Sequence, residues 1–265
     1  MTSIATGPAG STATRRTADR LQRNRGLLVT PAVIAVVLGA VAFYLATTDL
    51  DDPRRFPERN ALDLDNLAAR LREHLSLTAY STVIVIALAV PAGIVLSRPF
   101  VRPRFREAFL AFGGFMQALP PLGVIVLLAF SPLGFGARSA IAALVLASLL
   151  PVLMNTVVGL RQVDPALIEA ARGMGMSSSQ TLRRVELPLA VPVMVAGIRV
   201  ALVLNVGTAV LATFIGAGGL GDPLLSMIKL GRAEAAFVVA AIVAALALLV
   251  DWLAAVAERL VSGVG

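Results

Sequence analysis

Residues 163–188 read VDPALIEAARGMGMSSSQTLRRVELP, and this stretch decides how the rest of the chain is read. Asp164 is a good helix N-cap and Pro165 suits the first helical position. A short helix is expected over residues 166–174, ended by Gly175 in the left-handed conformation that glycine adopts at low cost. Ser177 then caps a second short helix over residues 180–186, and Leu187-Pro188 is expected to stop it. The segment is too polar to cross a membrane and too well capped to be a slack linker. Ala170 and Ala171 leave one face almost without side-chain bulk, and Glu169 and Arg172 put charge beside it, as a rigid docking element requires.

Apolar runs lie on both sides of this loop. They cover residues 27–46, 77–96, 108–130, 140–160, 191–215 and 235–256, each near the roughly 20 residues that cross about 30 Å of hydrocarbon. The expectation is an all-α membrane protein of about six transmembrane helices. Composition agrees: 57% of the 265 residues are hydrophobic and 15% charged, against about 25% charged in a soluble domain. The first run is longer than the 7–15 apolar residues or so of a signal peptide and lacks a small-residue cleavage site, so it reads as an uncleaved helix. Residues 1–26 read as a disordered tail, 27–46 as an additional N-terminal span, 47–74 as a polar linker and 75–260 as the transmembrane core.

The net charge of +7 sits between the apolar runs rather than on a phosphate-binding face, which argues against nucleic acid as a partner. Arg15, Arg16, Arg20, Arg23 and Arg25 crowd the tail, Arg98, Arg102, Arg104 and Arg106 follow the second span, and Arg161, Arg172, Arg183 and Arg184 follow the fourth. The opposite loops hold Arg138, and Lys229 with Arg232. The segment 49–75 carries five Arg but also seven acids. By the positive-inside rule both termini and the 163–188 loop face the cytoplasm, and 47–74 lies outside.

Several spans contain proline, and the Pro120–Pro121 pair is the strongest expected break. Arg199 and Asn205 lie within the fifth span. Ionisable residues there face the bundle interior or a water-filled path, so Arg199 is expected to line a translocation pathway or to pair with another buried polar group; its nearness to the span's end also allows snorkelling. Asn155 and Gln117 are weaker pathway candidates, since a buried amide also serves to bond a neighbouring helix. His74, in a charged stretch, reads as a solvated surface residue, and Trp252 as an interfacial anchor.

Other chemistries find little support. There is no cysteine and one histidine, which leaves no thiolate metal site and a poor basis for Ser–His catalysis. Gly216, Gly218 and Gly221 match G-x-G-x-x-G by spacing, but they follow a span and precede Asp222-Pro223, which reads as a tight turn rather than a dinucleotide site. No G-x-x-x-x-G-K-[ST] is present, so a partner must supply any ATP-derived energy. An ion-coupled secondary transporter is the main rival; the scarcity of acids within the spans, with Asp251 near an end, argues against proton coupling.

The loop resembles that of the ABC importer permeases, whose pattern is Glu-Ala-Ala, three residues, Gly, nine residues, Ile, any residue, Leu-Pro. Here Glu169-Ala170-Ala171, Gly175, Val185 and Leu187-Pro188 fall at those spacings, with Val in place of Ile. The resemblance covers roughly residues 75–260. It implies a type I importer permease fold in which this loop is the coupling helix, with Glu169, Ala170, Ala171, Gly175, Leu187 and Pro188 carrying the contact to a cytoplasmic ATPase. The implied partners are that ATPase, which binds ATP and Mg, an extracytoplasmic substrate-binding protein, and a second permease copy or related permease, all in a bacterial plasma membrane. No cofactor is expected in this chain. Residues 117–120, 163–176, 185–199 and 215–222 resemble the osmoprotectant branch, whose solutes are glycine betaine, choline, carnitine and proline; methionine and phosphonate importers share parts of these phrases. With aromatics at 5% a cage for a quaternary ammonium is not expected here, and recognition is expected in the binding protein.

Overall fold

A helix rises about 1.5 Å per residue, so the apolar runs need little more than their own length to form spans. The computed structural model describes residues 10–49 and 52–262, and these are helical almost throughout, with no strand among them. Helix α1 (Gly10–Thr47) comes first. A 3-10 turn at Pro53–Arg55 leads into α2 (Phe56–Leu62). Helix α3 (Leu64–Leu96) begins at Asp63, whose carboxylate accepts from the Asp65 and Asn66 N–H groups. Then follow α4 (Pro103–Ala118), α5 (Pro121–Ala129) and α6 (Ala137–Arg161). The loop holds α7 (Pro165–Gly173) and α8 (Ser178–Thr181). A π-helical turn over Leu182–Glu186 runs straight into α9 (Leu187–Ala209). A 3-10 stretch, Val210–Ile215, ends that rod, and α10 (Gly221–Lys229) and α11 (Ala233–Ser262) complete the chain.

Among the described residues five helical stretches are long and apolar enough to cross a membrane, and α4 with α5 makes a sixth if counted as one span bent by 92°. The bend falls on the proline pair, as expected. Leu119 and Pro120 each precede a proline and are extended, with ψ of 139° and 121°.

Helices α6 and α9 form the centre, and α3 packs on both. Small residues permit this approach. A Cβ on Gly197 of α9 would come within 2.6 Å of the Asn155 Cβ on α6, and one on Gly93 of α3 within 2.6 Å of the Thr156 Cβ. Val85, Ala89, Val152, Leu153 and Ala201 fill the space between the three helices. On the other side α11 packs against α9, and α1 against α11 through Val41, Tyr44 and Val238.

Three expectations are corrected. The segment read as a disordered tail is helical from Gly10 onward and continuous with the first span; residues 1–9 lie outside the described residues. Its Ala, Arg, Leu and Gln are strong helix formers, with no proline between Gly10 and Pro31. The segment read as a polar linker already contains the first turns of α3, because the Asp63 cap and the following Leu, Ala and Arg start the helix at Leu64 rather than near Leu77. Finally, Leu187-Pro188 does not stop the second loop helix. The Leu187 N–H donates to the Leu182 carbonyl, five residues back, and this wider turn accommodates Pro188 at the start of α9.

Candidate functional site

The loop between α6 and α9 builds itself from short-range bonds. The Asp164 carboxylate accepts from the Ala166 N–H at 2.9 Å, with Pro165 opening α7. At the other end of α7 the Met176 N–H donates to the Ala171 carbonyl at 3.1 Å and the Gly175 N–H to Arg172 at 2.9 Å. This pair of bonds is the Schellman motif, and Gly175 holds the required left-handed conformation at φ +84°. Ser177 and Gln180 then form a reciprocal capping box.

The result is a rigid knuckle. Ala171 is buried against it, whereas Leu167, Glu169, Ala170, Arg172 and Met174 face outward. Leu187 is partly buried and Pro188 exposed at the foot of α9.

One bond ties the knuckle to a distant span. Glu186, in the π-helical turn, is 4% exposed and accepts from Arg98, just beyond α3, at 2.6 Å. Arg98 also donates to the Ile94 carbonyl and to Ser97 Oγ. Sequence reasoning missed this pair. The available signal was an acid among apolar residues, Val185-Glu186-Leu187, which calls for a partner when buried.

Of the pathway candidates, Arg199 is brought to two acids of α11. Its Nε and a terminal nitrogen grip Asp251 at 2.7 and 2.8 Å, and it reaches Glu258 at 3.3 Å. This fits the pairing alternative, and the bidentate fork explains why arginine serves here. Asn205 is fully buried and donates to Thr82 Oγ1 on α3 at 3.0 Å. The Asn155 amide bonds back to the Pro151 carbonyl on its own helix, at the α6–α9 contact. Gln117 stands apart from these, exposed beside the α4–α5 bend.

His74 is a correction: it is not solvated but fully buried in α3, with Nε2 3.0 Å from the Val206 carbonyl of α9. A carbonyl can only accept, so Nε2 carries the proton and Nδ1 faces the backbone at Gly219. The reading failed because the histidine's environment is made by residues 132 positions away. Beside it Glu73 accepts from the Gly219 N–H at 2.9 Å, and Arg70 bridges Glu73 and Asp222 at 3.0 and 2.9 Å. Gly216, Gly218 and Gly219 all have positive φ. They form a tight turn that follows a 3-10 stretch and not a strand, whereas Gly221, the third glycine of the spaced set, opens α10.

The arrangement gives a rigid, locally bonded knuckle at one end of α9, tied to α3 by the Arg98–Glu186 pair, and a clamp between α3 and the glycine turn at the other. No cluster of three metal-ligating acids, histidines or cysteines occurs among the described residues. Residues 89–263 match the binding-protein-dependent transport system inner membrane component family. The choline transport system permease protein OpuBB of Bacillus subtilis is 38% identical over 194 residues, covering 73% of this chain and 87% of its own. The osmoprotectant import permease protein OsmY of Salmonella typhimurium is 44% identical over 184 residues, covering 69% and 77%. The MetNI methionine ABC transporter, solved in inward-facing conformations, superposes with a TM-score of 0.66 over 74% of this chain and 95% of that chain at 24% identity, which shows a shared fold. This chain therefore belongs to the family of binding-protein-dependent transport system inner membrane components and is a multi-pass permease subunit of the ABC importer type.

Proposed function

We propose that this chain is the permease half of an ATP-driven importer of small quaternary-ammonium osmoprotectants of the choline, glycine betaine and carnitine type. The observation that carries the reading is the α7 knuckle: a short capped helix that exposes Glu169 and Ala170, buries Ala171 and turns on Gly175. The substrate class is supported by relatives named for choline and osmoprotectant transport.

In this reading both termini and α7 face the cytoplasm, and a separate ATPase seats on α7. ATP and Mg²⁺ bind to that partner. An extracytoplasmic binding protein delivers the solute, and a second permease copy completes the pathway. Motion of the docked ATPase enters through α7 and passes along the π-helical turn into α9. The Glu186–Arg98 bond carries the same displacement to α3. Two central spans thus move together when the ATPases close, and access switches from one side of the membrane to the other.

The test is affinity purification of the tagged chain from gently solubilised membranes, for wild type and Glu169→Lys, with uptake of labelled glycine betaine, choline, carnitine and methionine measured in parallel. The expected result is an ATPase that co-purifies with wild type and is reduced at least tenfold, or about 1.4 kcal/mol, by the reversed charge, with membrane insertion unchanged. Co-purification unaffected by Glu169→Lys removes that residue from the docking contact. Absence of any ATPase overturns the importer assembly, and uptake of methionine alone moves the substrate class.

A further inference from the structure

The α4–α5 bend has backbone chemistry that packing within the chain does not use. Pro120 and Pro121 have no N–H, so the carbonyls of Met116 and Gln117 lack the donors that a continuing helix would supply four residues on. Leu119 is extended and ends α4, and among the described residues no backbone hydrogen bond outside the helices reaches the carbonyls of Met116 and Gln117. Gln117, Ala118, Pro120 and Pro121 are exposed.

Depth makes this significant. The last charged residue of α4 is Glu107, so residues 108–118 carry the chain roughly 16 Å past the charged edge, about half of a hydrocarbon core some 30 Å thick. Unpaired backbone carbonyls do not face lipid at that depth; they occur where the backbone is covered by protein or lines a water-filled cavity. A helix C-terminus also carries partial negative charge, which favours a cation.

We propose that the α4–α5 bend lines the aqueous pathway and that the carbonyls ending α4 receive the quaternary ammonium group of the passing solute. This rests on the importer reading and adds to it the place of contact. A quaternary ammonium has no N–H to donate, so dipolar carbonyls suit it by charge alone. Phe112 and Phe115, three residues apart and each 60% exposed, add an aromatic wall on the same helix. Such a contact is weak, as a transport site must be if the solute is to leave it. It also reconciles a cationic substrate with a chain that has few aromatics for a tight cage.

The absence of cysteine makes the test direct. Gln117→Cys and Ala118→Cys are introduced singly into the assembled transporter in membrane vesicles. They are treated with a trimethylammonium-ethyl or a sulfonatoethyl methanethiosulfonate, rates being normalised to those with a free thiol. Val83→Cys, on the exposed face of α3, serves as comparison. The expected result is a normalised preference for the cationic reagent of about tenfold or more at Gln117→Cys and Ala118→Cys, slowed by added choline or glycine betaine, with neither reagent reacting at Val83→Cys. Equal normalised rates overturn the cation contact. No reaction, together with oxidative crosslinking of two copies through Gln117→Cys, overturns the pathway assignment, because the second copy then covers the bend. Uptake by the wild type, measured alongside, separates the two failures: no uptake of any quaternary ammonium sinks the importer reading, whereas uptake with an unreactive bend sinks this site alone.

Discussion

The two ends of α9 are held in different ways. At the loop end the bonds are local: Asp164 to Ala166, Ala171 to Met176, Ser177 to Gln180, Leu182 to Leu187. Among the described residues the Arg98–Glu186 pair is the hydrogen bond that reaches further, across 88 positions. At the far end local bonds close the turn, Ala217 to Ala212 and Gly216 to Thr213, but long-range bonds fix it in place, His74 to Val206 across 132 positions and Glu73 to Gly219 across 146. A self-built knuckle keeps its shape while it moves, whereas a composite clamp exists only while the spans stay packed. In the proposed importer, the difference would suit a part that is pushed by the ATPase at one end and a part that holds position at the other.

The comparison breaks most severely at the single long-range anchor of the knuckle. Arg98→Ala leaves the Glu186 carboxylate buried and unpaired, and losing one partner of a buried pair costs about 3–5 kcal/mol. The melting temperature of the purified protein in detergent is expected to fall well below that of Arg161→Ala, whose side chain is exposed. Adding Glu186→Gln to Arg98→Ala removes the stranded charge and should restore most of the loss. A single variant no worse than Arg161→Ala would show that the knuckle is held to α3 by the packing of Leu182 and Leu187 with Val90 and Ile94 rather than by this pair.

A smaller effect is expected at the clamp. His74→Leu keeps much of the volume but leaves the Val206 carbonyl without its donor, a loss of about 1–3 kcal/mol. His74→Gln can supply an N–H and should recover part of it. Because the knuckle is self-built, neither variant should lower ATPase co-purification while uptake falls in His74→Leu. Loss of co-purification in His74→Leu would show that the two ends are not independent.

That independence also explains what the sequence made legible. The knuckle was readable because each of its determinants lies within five residues of its partner, so cap, turn and capping box follow from local preference. The spans were readable from the length of the apolar runs, and the bend from Pro120 and Pro121. The burial of His74 was not, since the atoms around it come from α9 and the glycine turn. Arg199 reads as needing a partner or a path, but nothing local points to Asp251, and only the packing of α11 on α9 brings the two together. Leu187-Pro188 was misread because a π-helical turn depends on the bond made five residues back, and a proline by itself reads as a stop.

The mildest and sharpest probe is Gly175. A Cβ there would meet nothing within 4 Å, so a substitution changes backbone preference without a clash. At φ +84° an L-residue costs about 1–2 kcal/mol, and a β-branched side chain resists the conformation further. Uptake and ATPase co-purification should therefore fall in the order Gly175→Asn, Gly175→Ala, Gly175→Val, asparagine being the residue that best tolerates this conformation after glycine. The melting temperature should move less than in Arg98→Ala, because the turn is exposed and the span packing is untouched. Equal activity of Gly175→Ala and Gly175→Val would mean that the partner does not read the angle between α7 and α8. Docking would then rest on the exposed face of α7, with Glu169 and Ala170, and not on the shape of the whole knuckle.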